Sequence, residues 1–251
     1  SSSFAMIHVR GNRRDFDHWN FLGCDGWSYD EVLPYFKRIE DWEGAPREWM
    51  GKGGPVSIRM NPSATPVAHA FANSGPELGL RGPDHDHNGP QQEDGTGLYQ
   101  HTITREGKRA STAVAYLKPI LGRPNLSVQT GVQVTRILFE GRRAVGVEVR
   151  KGNTTERVHA TREIVICAGS FDSPKLLMLS GIGPADHLQA NGIAVLSDLP
   201  GVGQNLQDHV LLPVFFRSKQ ELPAPMFIAE AGLFVRTRPG MQASSPDLQF
   251  H

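Results

Sequence analysis

The residues best suited to bind an anionic group lie in the stretch 169–183, which reads GSFDSPKLLMLSGIG. Just before it, the apolar run Glu163–Ala168 contains β-branched residues, which predicts a short buried strand. Ser173 is a preferred helix N-cap, and Pro174 suits the first helical position, where its missing N–H costs nothing. A strand, a turn of small residues and a capped helix leave backbone N–H groups free to bind an anion.

The same pattern is also that of an ordinary α/β turn. Gly181 and Pro184 predict the end of the helix, because glycine adopts a left-handed stop and proline cannot continue a helix. Uncapped N–H groups occur at every helix start, so this stretch alone does not establish a ligand.

Three other clusters contain residues that could do chemistry. Residues 84–87 read DHDH and could ligate zinc or iron, but His-x-His needs distant ligands to complete a site. The alternative is a polar turn closed by Asn88-Gly89, and we predict no metal. Residues 17–18 (DH) face apart as neighbours in a helix or strand, so they do not predict an acid–base dyad. Residues 208–209 (DH) resemble a catalytic pair, and we interpret them as structural.

Composition limits the classes of function that the chain can have. Its 251 residues carry a formal net charge of +0, which gives no sign of a nucleic-acid partner or an anionic membrane surface. Hydrophobic residues make up 39%, which predicts a packed core. No apolar run approaches the roughly 18–20 residues that span a bilayer, and no signal-peptide pattern opens the chain. Cys24 and Cys167 are too few for a disulfide framework, which favours reduced thiols in a cytoplasmic protein.

The elements that must position these residues are both helical and extended. Ser28 and Glu31 form a capping-box pattern before an apolar stripe at helical spacing. The region 125–160 alternates between apolar and polar residues, with turns near 131, 140–142 and 151–153, which predicts an antiparallel meander. The remaining predicted elements are strands at 56–60, 193–196 and 246–251 and helices at 66–79 and 184–192. The fold class is therefore α/β (α+β).

The arrangement of small residues at 169–183 resembles a signature of the glucose–methanol–choline (GMC) flavoprotein oxidoreductases. Similar family patterns occur at 26–36 (GWSYDEVLPYF), at 131–137 (GVQVTRI) and at 199–209 (LPGVGQNLQDH). The resemblance covers almost the whole chain. It implies a partial FAD-binding GMC fold with a β-meander, plus part of a substrate-binding domain.

The resemblance also implies which residues lie beside FAD. They are Ser1 and Ser2 near the pyrophosphate or flavin, Ala5, Met6 and Ile7 near the isoalloxazine ring, Val134 at the adenine, and Ala168 and Gly169 in the turn. Two departures stand near the start, where the family's Asn is missing beside Phe4 and His8 replaces a common Tyr. Arg109 and Ser111 match a segment that packs close to the family's active site.

The function implied is oxidation of a small alcohol, with hydride passing to flavin N5, as in choline or aliphatic alcohol dehydrogenases. Oxygen or a quinone would take the electrons. The alternatives are a lyase or decarboxylase on the same flavin fold, or a non-catalytic fragment. The sequence contains no Gly-x-Gly-x-x-Gly, and the family's catalytic His lies beyond residue 251. We therefore expect an internal fragment that alone binds FAD poorly and does not turn over.

Within such a fragment, the resemblance divides the chain into two sides. Residues 1–50 and 100–210 belong to the FAD-domain side, and residues 51–99 and 211–251 to the substrate-domain side. The predicted location is cytoplasmic or peripheral to a membrane.

Overall fold

The computed structural model describes residues 4–240 and 244–251, so the predicted FAD contacts Ser1 and Ser2 lie outside the described residues. The chain forms two compact units, a first unit of Ser1–Leu126 with Arg217–His251 and a second unit of Ser127–Phe216. The predicted division at residues 50, 99 and 210 does not follow these boundaries. The assignment of a cofactor side and a substrate side therefore stays a prediction.

The helices and strands follow one another along the chain in this order. The first unit begins with α1 (Arg13–Phe21), α2 (Tyr29–Ile39), β1 (Glu40–Trp42), β2 (Val56–Met60), α3 (Pro66–Asn73), β3 (Gly95–Leu98) and β4 (Gln100–His101). The second unit contains β5 (Gln133–Glu140), β6 (Arg143–Lys151), β7 (Thr154–His159), α4 (Gly169–Leu179), β8 (Ile182–Gly183), α5 (Ala185–Ala190) and β9 (Ser197–Asp198). The first unit closes with β10 (Ala231–Val235) and β11 (Leu248–Phe250), and it also holds short 3₁₀ and π turns at Gly75–Leu78, Ala113–Leu117 and Lys118–Ile120.

Within its described residues, the first unit forms two three-stranded sheets. In one, β1 pairs parallel with β2, which pairs antiparallel with β4. In the other, β10 lies between β11 and β3, and all pairs are antiparallel. The strand predicted near the end of the chain is thus confirmed as β11. The predicted helix over 66–79 is α3 followed by the 3₁₀ turn.

The helix α2 forms as the capping pattern predicts. The Glu31 carboxylate accepts the Ser28 N–H at 3.1 Å, which satisfies one of the donors left free at a helix start. Val32 is buried and Phe36 packs against the same cluster, whereas Tyr35 is 60% exposed. The face of the helix that carries Val32 and Phe36 therefore packs on the core, and Tyr35 lies outside it.

The second unit is organised by the antiparallel meander β5-β6-β7. Its turns fall at residues 141–142 and 152–153, where the sequence predicts them. The strand predicted over 125–130 is wrong, because the strand pairing of the meander begins only at Gln133. The strand predicted over 193–196 is also wrong: the parallel pairing with β8 falls just beyond it, at β9.

The strand predicted over Glu163–Ala168 is wrong as well. In the part of the chain that the structure describes, no strand pairs with this run, and an extended segment without a ladder partner is not a strand. Val165 is 73% exposed and Cys167 is exposed, so the run is not buried. Cys24 and Cys167 are both free thiols, as predicted.

The start predicted for helix α4 is also corrected. The helix begins at Gly169 with Ala168 as its N-cap, so Ser173 is not a cap and Pro174 lies inside the helix. Gly169 has φ 87°, a left-handed value that glycine adopts without a steric penalty, and the chain turns there rather than at Ser173. The helix ends before Gly181, as predicted.

A buried ion pair joins the chain start to the β1 strand. Glu40 and the Arg10 side chain are fully buried, and the Glu40 carboxylate accepts two hydrogen bonds from the Arg10 guanidinium, one of them from Nε at 2.7 Å. The carboxylate also accepts the Gly51 N–H at 2.9 Å, and His8 Nε2 lies 3.0 Å from it. Burial raises the pKa of the Glu40 carboxyl, but the bonds from His8 and Arg10 outweigh it, and its pKa lies below the usual value.

Replacing this carboxylate should destabilise the first unit strongly. Glu40→Gln keeps the shape but leaves the Arg10 charge buried without a counter-charge, and we expect a loss of about 3–5 kcal/mol in the free energy of unfolding. Urea unfolding followed by tryptophan fluorescence measures it, because all four tryptophans lie in the first unit. The matched control is Asp30→Asn, which removes the exposed pair with Arg13 and should cost less than about 1 kcal/mol. Equal losses in the two variants would contradict this account.

Candidate cofactor site

The segment predicted to lie beside the flavin ring, Ala5–Ile7, is half-buried and runs along β4. The Met6 carbonyl accepts hydrogen bonds from the Thr102 N–H at 2.8 Å and the Thr102 hydroxyl at 3.2 Å. Ile7 forms an antiparallel bridge with His101. Met6 has φ 66°, a left-handed conformation that is uncommon for a residue with a side chain.

The Asn88 side chain holds the chain just beyond this segment. Its Nδ2 donates to the His8 carbonyl and its Oδ1 accepts the Arg10 N–H, both at 2.8 Å. The amide therefore pairs with the backbone as a neighbouring strand would. Asn88 is fully buried, and it is oriented by Gln100 Oε1 at 2.9 Å and by the Asp86 carboxylate, which accepts its backbone N–H at 2.9 Å.

A second amide repeats this arrangement a few residues further on. Gln92 Nε2 donates to the Gly11 carbonyl and Gln92 Oε1 accepts the Arg13 N–H, both at 2.7 Å. On the other side of the segment, the Arg109 guanidinium donates to the Phe4 carbonyl at 2.6 Å. The chain start is thus held at both ends. The place of Arg109 close to the family's active site stays a prediction.

The residues of the DHDH cluster are engaged in packing and structural hydrogen bonds. Among residues 4–240 and 244–251, no three His, Cys, Asp or Glu side chains come together as metal ligands would. Asp86 accepts the Trp49 indole N–H at 2.9 Å and pairs with Arg47. The His85 and His87 rings meet edge to face with centroids 4.9 Å apart, and His85 Nε2 and His87 Nδ1 are buried without a hydrogen-bond partner.

Burial keeps these imidazoles neutral. Removal from water, and to a lesser extent the neighbouring His85, lowers the pKa of His87 to about 4. Burial also lowers the pKa of His85 and of His101, whose Nε2 lies 3.0 Å from the Ala229 carbonyl. The charged form of His87 is therefore disfavoured in the folded chain.

The other two Asp-His neighbours do not form acid–base dyads. Asp17 accepts the Tyr29 N–H at 2.9 Å, and the His18 ring stacks on Phe21. The Asp208 carboxylate accepts the backbone N–H of His209, both residues being exposed. The contacts of Asp17 and His18 agree with the prediction against a dyad at 17–18. The interpretation of residues 208–209 as structural stays a prediction.

In the second unit, Val134 lies on the edge of the meander. Strand β5 pairs with β6 on one side only, so part of its backbone is not used by the ladder. Val134 is 39% exposed, and the register shifts between Val134 and Arg136, which marks a bulge or irregularity. An edge of this kind can hydrogen-bond a flat heterocycle such as adenine.

Ala168 and Gly169 form the start of helix α4 in the same unit. No side chain caps this helix, so its first N–H groups are available to an acceptor. A Cβ built on Gly169 would meet nothing within 4 Å, so a ligand can approach the backbone there. The Ser180 hydroxyl fixes the helix against the meander, since it accepts the Ile137 N–H at 2.8 Å and donates to the Leu176 carbonyl at 2.6 Å.

The predicted cofactor residues thus fall into two groups. Ala5–Ile7 belong to the first unit, and Val134, Ala168 and Gly169 to the second. The residues of the second unit fit parts of FAD, because an uncapped helix start and a free sheet edge offer backbone hydrogen bonds. The sequence analysis did not identify Glu40 or Gln92 and interpreted Asn88 only as a turn residue.

A cavity of about 230 Å³ on the first unit lies among other residues. Its lining consists of Arg13, Tyr29, Leu33, Lys37, Glu48, Trp49, Gly89, Pro90 and Gln92. None of the predicted cofactor residues lines it. Helices with the length and apolar character needed to cross a bilayer are absent from residues 4–240 and 244–251.

Comparison with known proteins gives consistent matches. The sequence model of the family described as GMC oxidoreductase matches residues 1–211. The chain is 46% identical over 242 residues to the oxygen-dependent choline dehydrogenase of Brucella canis, which covers 96% of this chain and 43% of that protein. The chain spans less than half the length of this curated relative.

Two solved structures share the fold. The pyridoxine 4-oxidase from Mesorbium loti superposes with a TM-score of 0.85 at 35% identity, over 97% of this chain and 48% of that one. An FAD-dependent oxidoreductase from Chaetomium thermophilum gives a TM-score of 0.72 at 33% identity, over 78% of this chain and 36% of that one. These matches confirm the predicted fold class.

The buried histidines should make the first unit sensitive to acid. An unfolded His has a pKa near 6.5, so between that value and about 4 the unfolded chain binds more protons at His87 than the folded chain. The contribution of neutral His87 to the free energy of unfolding is therefore fully present above pH 6.5. It declines by roughly 3 kcal/mol as the pH falls towards 4.

Urea unfolding followed by tryptophan fluorescence at several pH values between 4.5 and 7.5 checks this decline. His87→Phe keeps an aromatic ring among its neighbours and removes the titrating group, so the decline should become shallower. His18→Gln changes an exposed histidine of α1 and should leave the decline unchanged. An unaltered decline in His87→Phe would show that His87 is not its source.

Proposed function

The chain belongs to the GMC oxidoreductase family, and we propose that it forms part of an FAD-dependent enzyme that oxidises the CH–OH group of a small alcohol. The observation that carries the proposal is the 46% identity with a choline dehydrogenase over 96% of the chain. Choline or a related amino alcohol is therefore the proposed substrate class. Two further points stay predictions. One is that oxygen or a quinone accepts the electrons, and the other is a location in the cytoplasm or peripheral to a membrane.

The cofactor supplies the redox chemistry in this proposal, because a bound flavin accepts hydride at N5 from the carbinol carbon. The chain contributes binding and orientation. The half-buried segment Ala5–Ile7 would line the flavin ring, and the free edge of β5 at Val134 would hydrogen-bond the adenine. The first N–H groups of α4 at Gly169 would bind an acceptor oxygen of the cofactor.

The histidines in the core of the first unit do not suit the role of a general base in this reaction. A base must lie within hydrogen-bond reach of the substrate hydroxyl. His85, His87 and His101 are packed against other side chains, and His101 stacks on Phe227 with centroids 4.2 Å apart. We therefore assign no residue of this chain as the group that removes the proton.

Titration of FAD with the purified chain, followed by flavin fluorescence, tests the cofactor assignment. We expect saturable but weak binding, with a Kd in the micromolar range or above, because the sequence lacks a Gly-x-Gly-x-x-Gly loop for the diphosphate. FMN should bind more weakly than FAD, since it lacks the adenine that would meet β5. The absence of saturable FAD binding would contradict the assignment.

A matched pair of glycine variants tests the position of the site. Gly169→Ala places a methyl group where the cofactor would approach, and Gly152→Ala places one at an equally open left-handed glycine in the β6–β7 turn. Gly169→Ala should weaken FAD binding at least about fivefold, roughly 1 kcal/mol, whereas Gly152→Ala should not. Equal effects would exclude Gly169 from the site.

The reaction class is tested in the whole protein. Anaerobic addition of choline should bleach the visible absorbance of the oxidised flavin, because alcohol oxidation reduces it. A lyase or decarboxylase cycle returns the flavin to its starting redox state. A bound flavin that choline and simple alcohols leave oxidised would therefore contradict the proposed reaction.

A further inference from the structure

The left-handed conformation of Met6 requires a cause. A side chain at φ 66° is disfavoured sterically, and such a conformation persists only where the surrounding structure enforces it. We propose that Asn88 and Glu40 are positioning residues that hold Met6 in this conformation and so fix the segment Ala5–Ile7 before FAD binds. The proposal rests on the proposed function, because that function assigns the segment to the flavin.

The first contacts hold the backbone at the Met6 carbonyl and at the two residues that follow it. The Met6 carbonyl accepts two hydrogen bonds from Thr102, so the direction of this carbonyl is fixed against β4. Two residues later, the His8 N–H donates to the Gln100 carbonyl at 2.7 Å. The backbone that leaves Met6 is therefore fixed against β4 as far as His8.

Asn88 determines the path of the chain beyond the His8 N–H. It binds the His8 carbonyl and the Arg10 N–H at the same time, so both groups point to the same side of the chain, as they do in an extended strand. Because Asn88 is fully buried, water cannot replace these two bonds when the side chain is removed. Gln100 and Asp86 hold the Asn88 amide in place, so the orientation of its donor and acceptor does not depend on residues 8–10.

Glu40 acts on the same two residues through their side chains. In extended chain, residues two apart point to the same side, and the His8 and Arg10 side chains both reach the Glu40 carboxylate. Asn88 thus holds the backbone of residues 8 and 10, while Glu40 holds their side chains. Neither residue contacts Met6, and both act on it through the chain that follows.

A segment fixed in this way loses less conformational entropy when a ligand binds it. Pre-organisation of this kind raises affinity without adding a contact to the ligand. If the clamp formed by Asn88 and Glu40 is released, Ala5–Ile7 must become ordered when FAD binds. The conformational entropy lost in that step weakens the binding. The expected result is weaker FAD binding in a protein whose fold is otherwise retained.

Hydrogen exchange of the cofactor-free chain, measured by mass spectrometry on peptides covering residues 5–11, tests the clamp. Asn88→Ala should speed exchange of these amides at least about tenfold, because the partners of His8 and Arg10 are lost. The matched control is Thr96→Ala in β3, another fully buried polar side chain of the first unit, which donates to the Ala72 carbonyl at 2.8 Å. It should leave exchange in this segment within about twofold of wild type.

Where Asn88→Ala folds poorly, Asn88→Leu keeps the side-chain volume and removes the same hydrogen bonds. Glu40→Gln, compared under conditions where urea unfolding shows the first unit folded, tests the second positioning residue. It should also speed exchange of the same peptides, with a larger effect there than on peptides from β3 and β10. Equal acceleration in the Asn88, Glu40 and Thr96 variants would indicate general destabilisation and would overturn the proposal. Unchanged exchange in Asn88→Ala would overturn it as well.

The FAD titration of the same variants tests the consequence for the cofactor. We expect the Kd to rise about fivefold to tenfold in Asn88→Ala and to stay within about twofold in Thr96→Ala. Faster exchange with an unchanged Kd would overturn the positioning role. If wild type binds no FAD, the proposed function fails and the cofactor role with it, while the exchange data still decide whether Asn88 clamps the segment.

Discussion

The first unit depends on one buried charge, the Glu40 carboxylate. An isolated carboxylate without water is unstable, so its environment must supply donors, and it does so from Arg10, Gly51 and the His8 ring. These donors come from two distant parts of the chain, and satisfying them brings the chain start onto β1. The position of the chain start beside β4 follows, and with it the conformation of Met6.

The second unit differs from the first, because the groups it offers to a ligand belong to the backbone and not to side chains. A helix start that no side chain caps and a strand that pairs on one side only both leave backbone hydrogen bonds unused. The Ser180 hydroxyl at the C-terminal end of α4 bonds to β5, so one side chain ties the helix to the strand. Open backbone groups on fixed elements are what binding a dinucleotide by its polar edges requires.

The sequence predicts the local features of this fold well, because their causes are local. The capping box at Ser28 and the meander turns need only neighbouring residues. It fails at Glu163–Ala168, where strand formation depends on a partner that the run itself does not contain. It also fails to identify Asn88 as a clamp, because Arg10 lies 78 positions away and only the fold brings the two together. The assignment of Ala5–Ile7 and Val134 to FAD rests on the family resemblance, whereas the stretch that begins at Gly169 also has the physical pattern of an anion site.

Backbone amide chemical shifts of the labelled chain, recorded while FAD is added, test the central claim most directly. We predict saturable shifts at two groups of residues, Ala5–Ile7 in the first unit and Val134 with Gly169 in the second. Shifts confined to the cavity lined by Arg13 and Trp49, or no saturable shifts at either group, would contradict it.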